Sequence, residues 1–349
     1  MSDFGFAIVG CGAIARTHVR AIGEIPTARV TALVSRRLSS AEALRDEFQL
    51  HAECFDDLPA ALARPGVDAV IIGTPSGAHR EPALAAAAAG KHVLVEKPLE
   101  ITTERCDDVI AACDRAGVQL GVIFPSRFSD ANRTLKQAVE ARRFGRITLA
   151  ETTCKWWRPQ EYYDRGDWRG TVRLDGGGAL MNQAIHNVDL LLWLMGEPID
   201  LAAFTATLAH ERIEVEDTAV AVMRFASGAL GVIEAATSIH PGYPKTIAVH
   251  GDRGSVVVEQ DAIVRWDFAE PAPGDEAIRA TLGRSPEAAG GARDPAAISH
   301  LGHRRQFEDF IQAVRANRPP EIDGREGRKS VAVIQAIYAA ARTKTTSEG

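Results

Sequence analysis

A histidine set among polar neighbours inside an apolar run needs a reason to be there. Between Gly176 and Gly196, Asn182, His186, Asp189 and Trp193 recur at helical steps. They run one residue out of phase with Met181, Ile185, Val188, Leu192 and Met195, an apolar stripe that faces a core. A polar stripe beside a buried one costs stability unless its groups are paired or used. His186 is therefore either a satisfied core histidine or a residue that does chemistry.

A second constellation lies near the start of the chain. "AIVGCGAIA" puts Gly10, Gly12 and Ala15 where an apolar strand turns into a helix, the G-x-G-x-x-G/A spacing of a dinucleotide-binding turn. The first glycine makes the turn, the second lets backbone approach a pyrophosphate, and the small third residue lets helix pack on strand. Phosphates then meet the helix N-terminus at Ala13 and Ile14. A tight turn in some other α/β protein is the alternative. About 20 residues further on, a strictly NAD-binding site usually has a carboxylate for the ribose 2′-hydroxyl. Here the strand "VTALV" ends in Ser35, Arg36 and Arg37. A hydroxyl and a guanidinium suit a 2′-phosphate, which favours NADP over NAD; otherwise the arginines are solvated loop charges.

Two later strands end in "TPSGAH", Thr74 to His79, and "EKP", Glu96 to Pro98. Ligands of open parallel sheets bind outside the carboxyl ends of the strands. Gly10, Ser35, Thr74, Pro75, His79, Glu96 and Lys97 all fall there, and together they form the candidate cofactor site. Lys97 either pairs with Glu96 or faces a ligand. Further on, Lys155, Arg158, Arg165, Arg169 and Arg173 alternate with Trp156, Trp157, Tyr162, Tyr163 and Trp168. Aromatic faces stack on sugar rings and arginines grip carboxylate or phosphate, so Tyr163, Trp168 and Arg169 are candidate contacts to a sugar, sugar acid or nucleotide sugar. In the alternative, the rings are core or interface and the arginines pair with Glu161, Asp164 and Asp167.

The elements that must hold these groups follow from patterning. From residue 4 to about 122, "FGFAIVG", "VTALVS", "AVIIGTP", "HVLVEKP" and "QLGVIF" are continuous apolar strands alternating with helices. That alternation predicts a doubly wound parallel sheet, a Rossmann domain over 1–122. Beyond it, long strand-like runs joined by "ASGA" and "GDRG" predict an α+β domain over 123–349 with an open, largely antiparallel sheet that binds substrate and makes oligomers. Residues 270–299 are rich in Ala, Gly and Pro and read as a surface loop.

Composition narrows the class. At 349 residues, with 46% hydrophobic and 25% charged, the chain is an ordinary globular one long enough for two cores. A net charge of −6 argues against nucleic acid or an anionic membrane as partner. The N-terminus has no signal-peptide pattern, which points to the cytoplasm. Cys11, Cys54, Cys106, Cys113 and Cys154 show no metal-ligand or disulfide spacing, so they read as reduced small residues, and no metal site is expected.

In order and spacing, the glycine turn, "TPSGAH", "EKP", "GVIFPSRFSDANRTLKQAVEARRFGRI", "DGGGALMNQAIHNVDLL" and "RRQFEDFIQAVRANRPPEIDGREGRKSVAVIQAIYAA" resemble the Gfo/Idh/MocA family of NAD(P)-dependent oxidoreductases. The likeness covers nearly the whole chain. It implies hydride transfer between NAD(P) and a secondary alcohol of a sugar, cyclitol or nucleotide sugar, C3 of a pyranoside being one such position. It implies that Lys97 touches the substrate hydroxyl, that Pro75 lies near the nicotinamide, and that His186 takes the alcohol proton. Many members carry Asp-x-x-x-His on this helix, whereas this chain has Asn182, an amide that can orient a hydroxyl but brings no negative charge. The catalytic candidates are thus Lys97, His186 and Asn182, and all three are substrate contacts as well. Two other readings stay open: a sugar-sensing regulator that binds dinucleotide without turnover, and a dehydrogenase or reductase of a non-sugar such as a dihydrodiol. A broad sheet with one uncovered face predicts a homodimer or homotetramer.

Overall fold

The computed structural model describes residues 3–166, 168–284 and 299–345. Two compact units divide the chain: Met1–Pro125 with His300–Arg328, and Ser126–Ser299 with Lys329–Gly349.

In the first unit strands and helices alternate: β1 (Phe4–Val9), α1 (Ala13–Gly23), β2 (Ala28–Val34), α2 (Leu38–Glu47), β3 (Glu53–Phe55), α3 (Leu58–Ala63), β4 (Ala69–Ile72), α4 (Arg80–Ala88), β5 (His92–Glu96), α5 (Thr103–Ala116) and β6 (Leu120–Ile123). The six strands are parallel in the order β3-β2-β1-β4-β5-β6. Residues of β1, β4 and β6 are buried throughout, as strands covered on both faces must be. Strand order reverses between β1 and β4, the point where doubly wound sheets open a crevice at their carboxyl ends. The edge strand β3 adds a sixth to the five strands read from apolar runs. Its three residues, Glu-Cys-Phe, carry no such run.

The second unit opens with α6 (Asp130–Glu140), β7 (Ile147–Lys155) and α7 (Gln160–Asp164). A π-helical turn, Ala179–Ala184, then continues into α8 (Ile185–Met195). Six strands follow: β8 (Pro198–Ala206), β9 (Thr218–Phe225), β10 (Leu230–Ala236), β11 (Thr246–Gly251), β12 (Gly254–Glu259) and β13 (Ala262–Phe268). With β7 they form one sheet in the order β13-β12-β11-β7-β10-β9-β8, antiparallel except where β7 meets β10. In β9, Ala219, Ala221, Met223 and Phe225 are buried while Val220, Val222 and Arg224 are exposed, so the sheet has one packed and one open face. Helix α8 packs on the covered side, where Asn187 donates to Thr152 Oγ1 at 2.7 Å and to the Thr153 carbonyl at 3.2 Å. Helix α9 (Asp275–Arg279) lies within the segment expected to be a loop. Its buried Asp275 accepts from Arg143 at 2.6 and 2.9 Å and from Trp266 Nε1 at 2.8 Å. That part of 270–299 is therefore pinned, and residues 285–298 lie outside the described ones.

The last two helices are α10 (Leu301–Arg315) and α11 (Gly324–Thr345). The sequence reading places everything after residue 123 in one domain, yet α10 belongs to the first unit. Its Phe307, Phe310 and Ile311 are buried in one cluster with Phe6, Ile22, Leu94 and Ile123. Gln306 accepts from the Phe124 N–H at 3.0 Å and donates to the Val122 carbonyl at 2.7 Å, while the Val122 N–H reaches the Ile322 carbonyl at 3.0 Å. The returning chain thus covers the open edge of β6, a liability for any sheet.

Candidate active site

Gly10 ends β1 at φ +98°, and a Cβ there would lie 2.6 Å from the carbonyl oxygen of Gly73, so two strand ends approach more closely than any side chain allows. Gly12 caps α1 with extended backbone, and nothing lies within 4 Å of where its Cβ would project. Gly12 and Ala13 are exposed, Ile14 is half-buried, Ala15 is fully buried against the sheet, and the first turn of α1 carries no acidic residue. A bare helix N-terminus with clear space before it fits the pyrophosphate of a dinucleotide. At the end of β2, the Ser35 N–H is held by the Phe55 carbonyl at 3.0 Å. Arg36 beside it is exposed and, among the described residues, has no ion-pair partner.

The turns after β4 and β5 are tied together by His79. Its Nδ1 lies 2.9 Å from the Pro98 carbonyl and its Nε2 2.9 Å from the Thr74 carbonyl, and the ring is buried. Burial pushes its pKa below the ordinary histidine value. The sequence set His79 among the cofactor contacts; with both ring nitrogens turned to main-chain oxygens, it instead fixes the loops that carry Thr74, Pro75 and Lys97. Thr74 Oγ1 closes its own turn on the Ala78 carbonyl at 2.9 Å.

Glu96 is buried, accepting from the Lys97 N–H at 3.1 Å and meeting His18 Nε2 at 2.8 Å, with His303 Nε2 4.0 Å away. Burial alone would raise its pKa; the hydrogen bond and charge of His18, with His303 and Lys97 beyond, carry it down to about 2 instead. Ligand-type atoms of His18, Glu96 and His303 lie within 4.8 Å of one another. No metal-ligating group was expected from sequence, because these three residues are far apart along it. The 2.8 Å contact is a hydrogen bond, shorter than the roughly 3.3 Å between ligand atoms on a tetrahedral metal with bonds of about 2.0 Å. The group is the charge network of Glu96. Lys97 itself is half-buried rather than fully enclosed.

In the second unit, Asn182 and His186 are the two residues between Ala179 and Leu192 that are not buried. Nδ1 of His186 is a buried atom, while the residue as a whole is partly exposed. Asp189, on the same polar stripe, is gripped by Arg127 through two bonds of 2.8 and 2.7 Å. The glycines before the helix are explained by what packs on them. A Cβ on Gly177 would fall 2.2 Å from the Tyr338 hydroxyl, and one on Gly178 would fall 1.6 Å from the Glu216 carbonyl oxygen. Glu216 takes the N–H groups of Gly178 at 2.9 Å and Leu180 at 2.8 Å on its carboxylate and that of Ala179 at 3.0 Å on its carbonyl, while the Tyr338 hydroxyl donates to it at 3.0 Å. Burial pushes Glu216 up to about 7 against the pull of these donors. Asp175 holds the Asn182 amide at 2.6 Å. Sequence reasoning missed Asp175, Glu216 and His18. Asp175 adjoins the glycines and His18 lies in the apolar stripe of α1, signals that a closer reading could have used, but nothing local marks Glu216.

The aromatic run divides. Tyr163 is buried, its hydroxyl paired with Thr237 Oγ1 at 2.8 Å and its ring edge-on to His210 at 4.8 Å, so packing, not a sugar, accounts for it. Arg169 is stacked between Tyr162 at 4.8 Å and Trp168 at 4.7 Å, and both Arg169 and Trp168 remain half-exposed. Asp164 pairs with Arg212 at 2.8 Å, and Asp167 lies outside the described residues.

The first unit and its glycine turn define a dinucleotide-binding oxidoreductase: residues 4–124 match the oxidoreductase family with an NAD-binding Rossmann fold. Residues 132–257 match the GFO/IDH/MocA C-terminal domain, and the chain belongs to the GFO/IDH/MocA family. It is similar to the WlbA dehydrogenase of Bordetella pertussis, solved with NADH and UDP-GlcNAcA, at 38% identity and a TM-score of 0.88, covering 98% of this chain and 96% of that one. It is 28% identical to the myo-inositol 2-dehydrogenase of Thermotoga maritima, covering 93% of this chain and 92% of the relative. To the 1,5-anhydro-D-fructose reductase of Ensifer adhaerens it is 27% identical over 98% of both. No described helix is long and apolar enough to cross a membrane.

Because the folded pKa of Glu216, about 7, lies above the ordinary 4.5, its contribution to stability is complete below about pH 4.5 and is lost as pH rises through 7. The melting temperature of the wild type, compared with that of Glu216→Gln, should shift against the wild type across that range, by up to about 3 kcal/mol in stability. A difference that does not change with pH would contradict this.

Proposed function

We propose that the chain transfers a hydride between a nicotinamide dinucleotide and a secondary alcohol of a sugar, most suitably a nucleotide-linked sugar. The observation that carries this is the pair Asn182 and His186, half-exposed where the rest of Ala179–Leu192 is buried, with the Asn182 amide held by the buried carboxylate of Asp175. The substrate class is supported by the WlbA dehydrogenase, which was solved with a nucleotide-linked sugar acid, and by the cyclitol- and sugar-named relatives.

The cofactor, held at Gly10, Gly12, Ala13 and Ile14 with Thr74 and Pro75, supplies the hydride acceptor or donor when bound. His186 takes the hydroxyl proton at Nε2 when the alcohol is oxidised and returns it in reduction. Asn182 accepts from the same hydroxyl and sets its direction. Lys97 offers the cation that lowers the cost of charge developing on the alcohol oxygen. Its backbone N–H is held by the Glu96 carboxylate at 3.1 Å. Arg169 and Trp168 form the cationic and stacking surface for the sugar. Tyr163 is assigned to packing.

Ser35 and Arg36 are proposed to accept the 2′-phosphate of NADP, on the support of an exposed guanidinium and the lack of a carboxylate in "SRR". A second copy of the chain is proposed to cover the open sheet face, where Phe204 is 63% and Val222 55% exposed on adjoining strands. We place the enzyme in the cytoplasm, where its five thiols stay reduced.

Purified protein tested with a panel of nucleotide sugars, free sugars and cyclitols should turn over at least one of them with a change in nicotinamide absorbance. On that substrate, His186→Ala should lose roughly 10²- to 10⁴-fold in kcat with dinucleotide affinity near wild type. Undiminished turnover would return the histidine to the core. In a separate titration, Arg36→Ala should weaken NADP by roughly 10- to 100-fold and leave NAD little changed. Equal losses for both, or a wild type with a strong preference for NAD, would overturn the phosphate assignment.

A further inference from the structure

Asp175 precedes the glycine turn and is 1% exposed. Its Oδ1 accepts from Nδ2 of Asn182 at 2.6 Å and its Oδ2 from the N–H of Gly170 at 2.8 Å. Gly170, at φ +72°, directly follows Arg169. One carboxylate therefore ties the loop of Trp168 and Arg169 to the turn that carries Asn182. An ionised carboxylate only accepts hydrogen bonds, so the amide must turn its NH₂ end toward Asp175. The carbonyl end of the half-exposed amide then points the other way. A charged acceptor behind the NH₂ group also polarises the amide and makes its oxygen a better acceptor than an isolated one.

We propose that Asp175 is a positioning residue for the reaction: through Asn182 it presents a polarised amide oxygen to the substrate hydroxyl, supplying negative charge from one hydrogen bond behind the contact. This rests on the reading that Asn182 and His186 face the substrate. It also reverses the simplest expectation for residue 182. A carboxylate placed there would meet Asp175 at hydrogen-bond distance, and two carboxylates so close cannot both ionise. One would keep a proton to a raised pH. The substitution Asn182→Asp is then a loss, not a gain.

Four variants, Asp175→Asn, Asn182→Asp, the double exchange Asp175→Asn/Asn182→Asp, and His186→Ala, test this on the substrate that the panel identifies. In the double exchange the new amide at 175 can donate to the new carboxylate at 182 and accept from the Gly170 N–H, so both hydrogen bonds survive with the charge moved. Losing one charge-assisted bond should lower kcat about 10- to 100-fold in Asp175→Asn, with a smaller change in KM. Activity of Asn182→Asp, taken as a ratio to wild type, should be highest at low pH and fall as the shared proton leaves. The double exchange should recover most of the kcat lost in Asp175→Asn, with a ratio that no longer changes with pH. Wild-type kcat in Asp175→Asn, or a double exchange no better than the single variants, would overturn the proposal. If Asp175→Asn does not fold, the double exchange, which keeps the bonds, decides by the same criterion. His186→Ala separates the two levels: if it loses activity while Asp175→Asn does not, only the role of Asp175 fails. If it keeps activity, the reading of the whole helix fails, and this proposal with it.

Discussion

The helix that carries Asn182 and His186 begins inside the protein, where its first backbone N–H groups have no water to bond, and Glu216 satisfies them. A buried helix start without partners would cost free energy comparable to several lost hydrogen bonds. The remedy is Glu216, whose carboxylate takes these N–H groups while its backbone carbonyl and the Tyr338 hydroxyl come so close that no side chain fits at Gly178 or Gly177. Those glycines were the most visible feature of the segment, and they are there because Glu216 and Tyr338 occupy the space. With the turn held in this way, the π-helical stretch follows at a defined angle. Asn182 and His186 emerge on its one half-exposed side while Met181, Ile185, Val188 and Leu192 face the core.

The same device appears in the first unit with a different residue. Glu96 is buried, kept ionised by His18 and His303, and holds the N–H of Lys97. In each unit a buried carboxylate holds backbone N–H groups beside a residue that is only partly buried. Such an arrangement is expensive in desolvation, and each carboxylate is kept by the donors that surround it. It also makes these sites rigid, since neither Lys97 nor Asn182 can shift its anchor without leaving a buried charge short of partners. Preorganised groups of this kind are what proton and hydride chemistry requires.

Much of this was legible in the sequence. The continuous apolar strands and the glycine spacing at Gly10, Gly12 and Ala15 announced the Rossmann unit, and the phase shift between two helical stripes isolated Asn182 and His186. Strand β3 was not legible, because three residues at a sheet edge carry too little pattern. Helix α10 falls within 123–349 by sequence yet packs in the first unit, since nothing local says that Phe307 joins Phe6 and Ile22. Tyr163 shows the opposite limit. An aromatic residue in a polar run reads equally well as a ligand platform or a core ring, and only the hydroxyl of Thr237 decides. Asp189 stands on the polar stripe, but nothing local names Arg127, 62 residues away, as its partner. What periodicity cannot supply is the long-range partner of a polar group, and the supporting carboxylates Glu216 and Asp175 act through such partners.

In the proposed reaction hydride passes directly from the carbinol carbon to the nicotinamide, and the proton leaves separately to His186. Deuterium placed on the carbinol carbon of the alcohol that turns over tests it most directly, with the label followed by mass spectrometry. The deuterium should be recovered in the reduced nicotinamide and should not exchange with solvent. Label found in water, or a cofactor that stays unlabelled while product accumulates, would rule out direct hydride transfer.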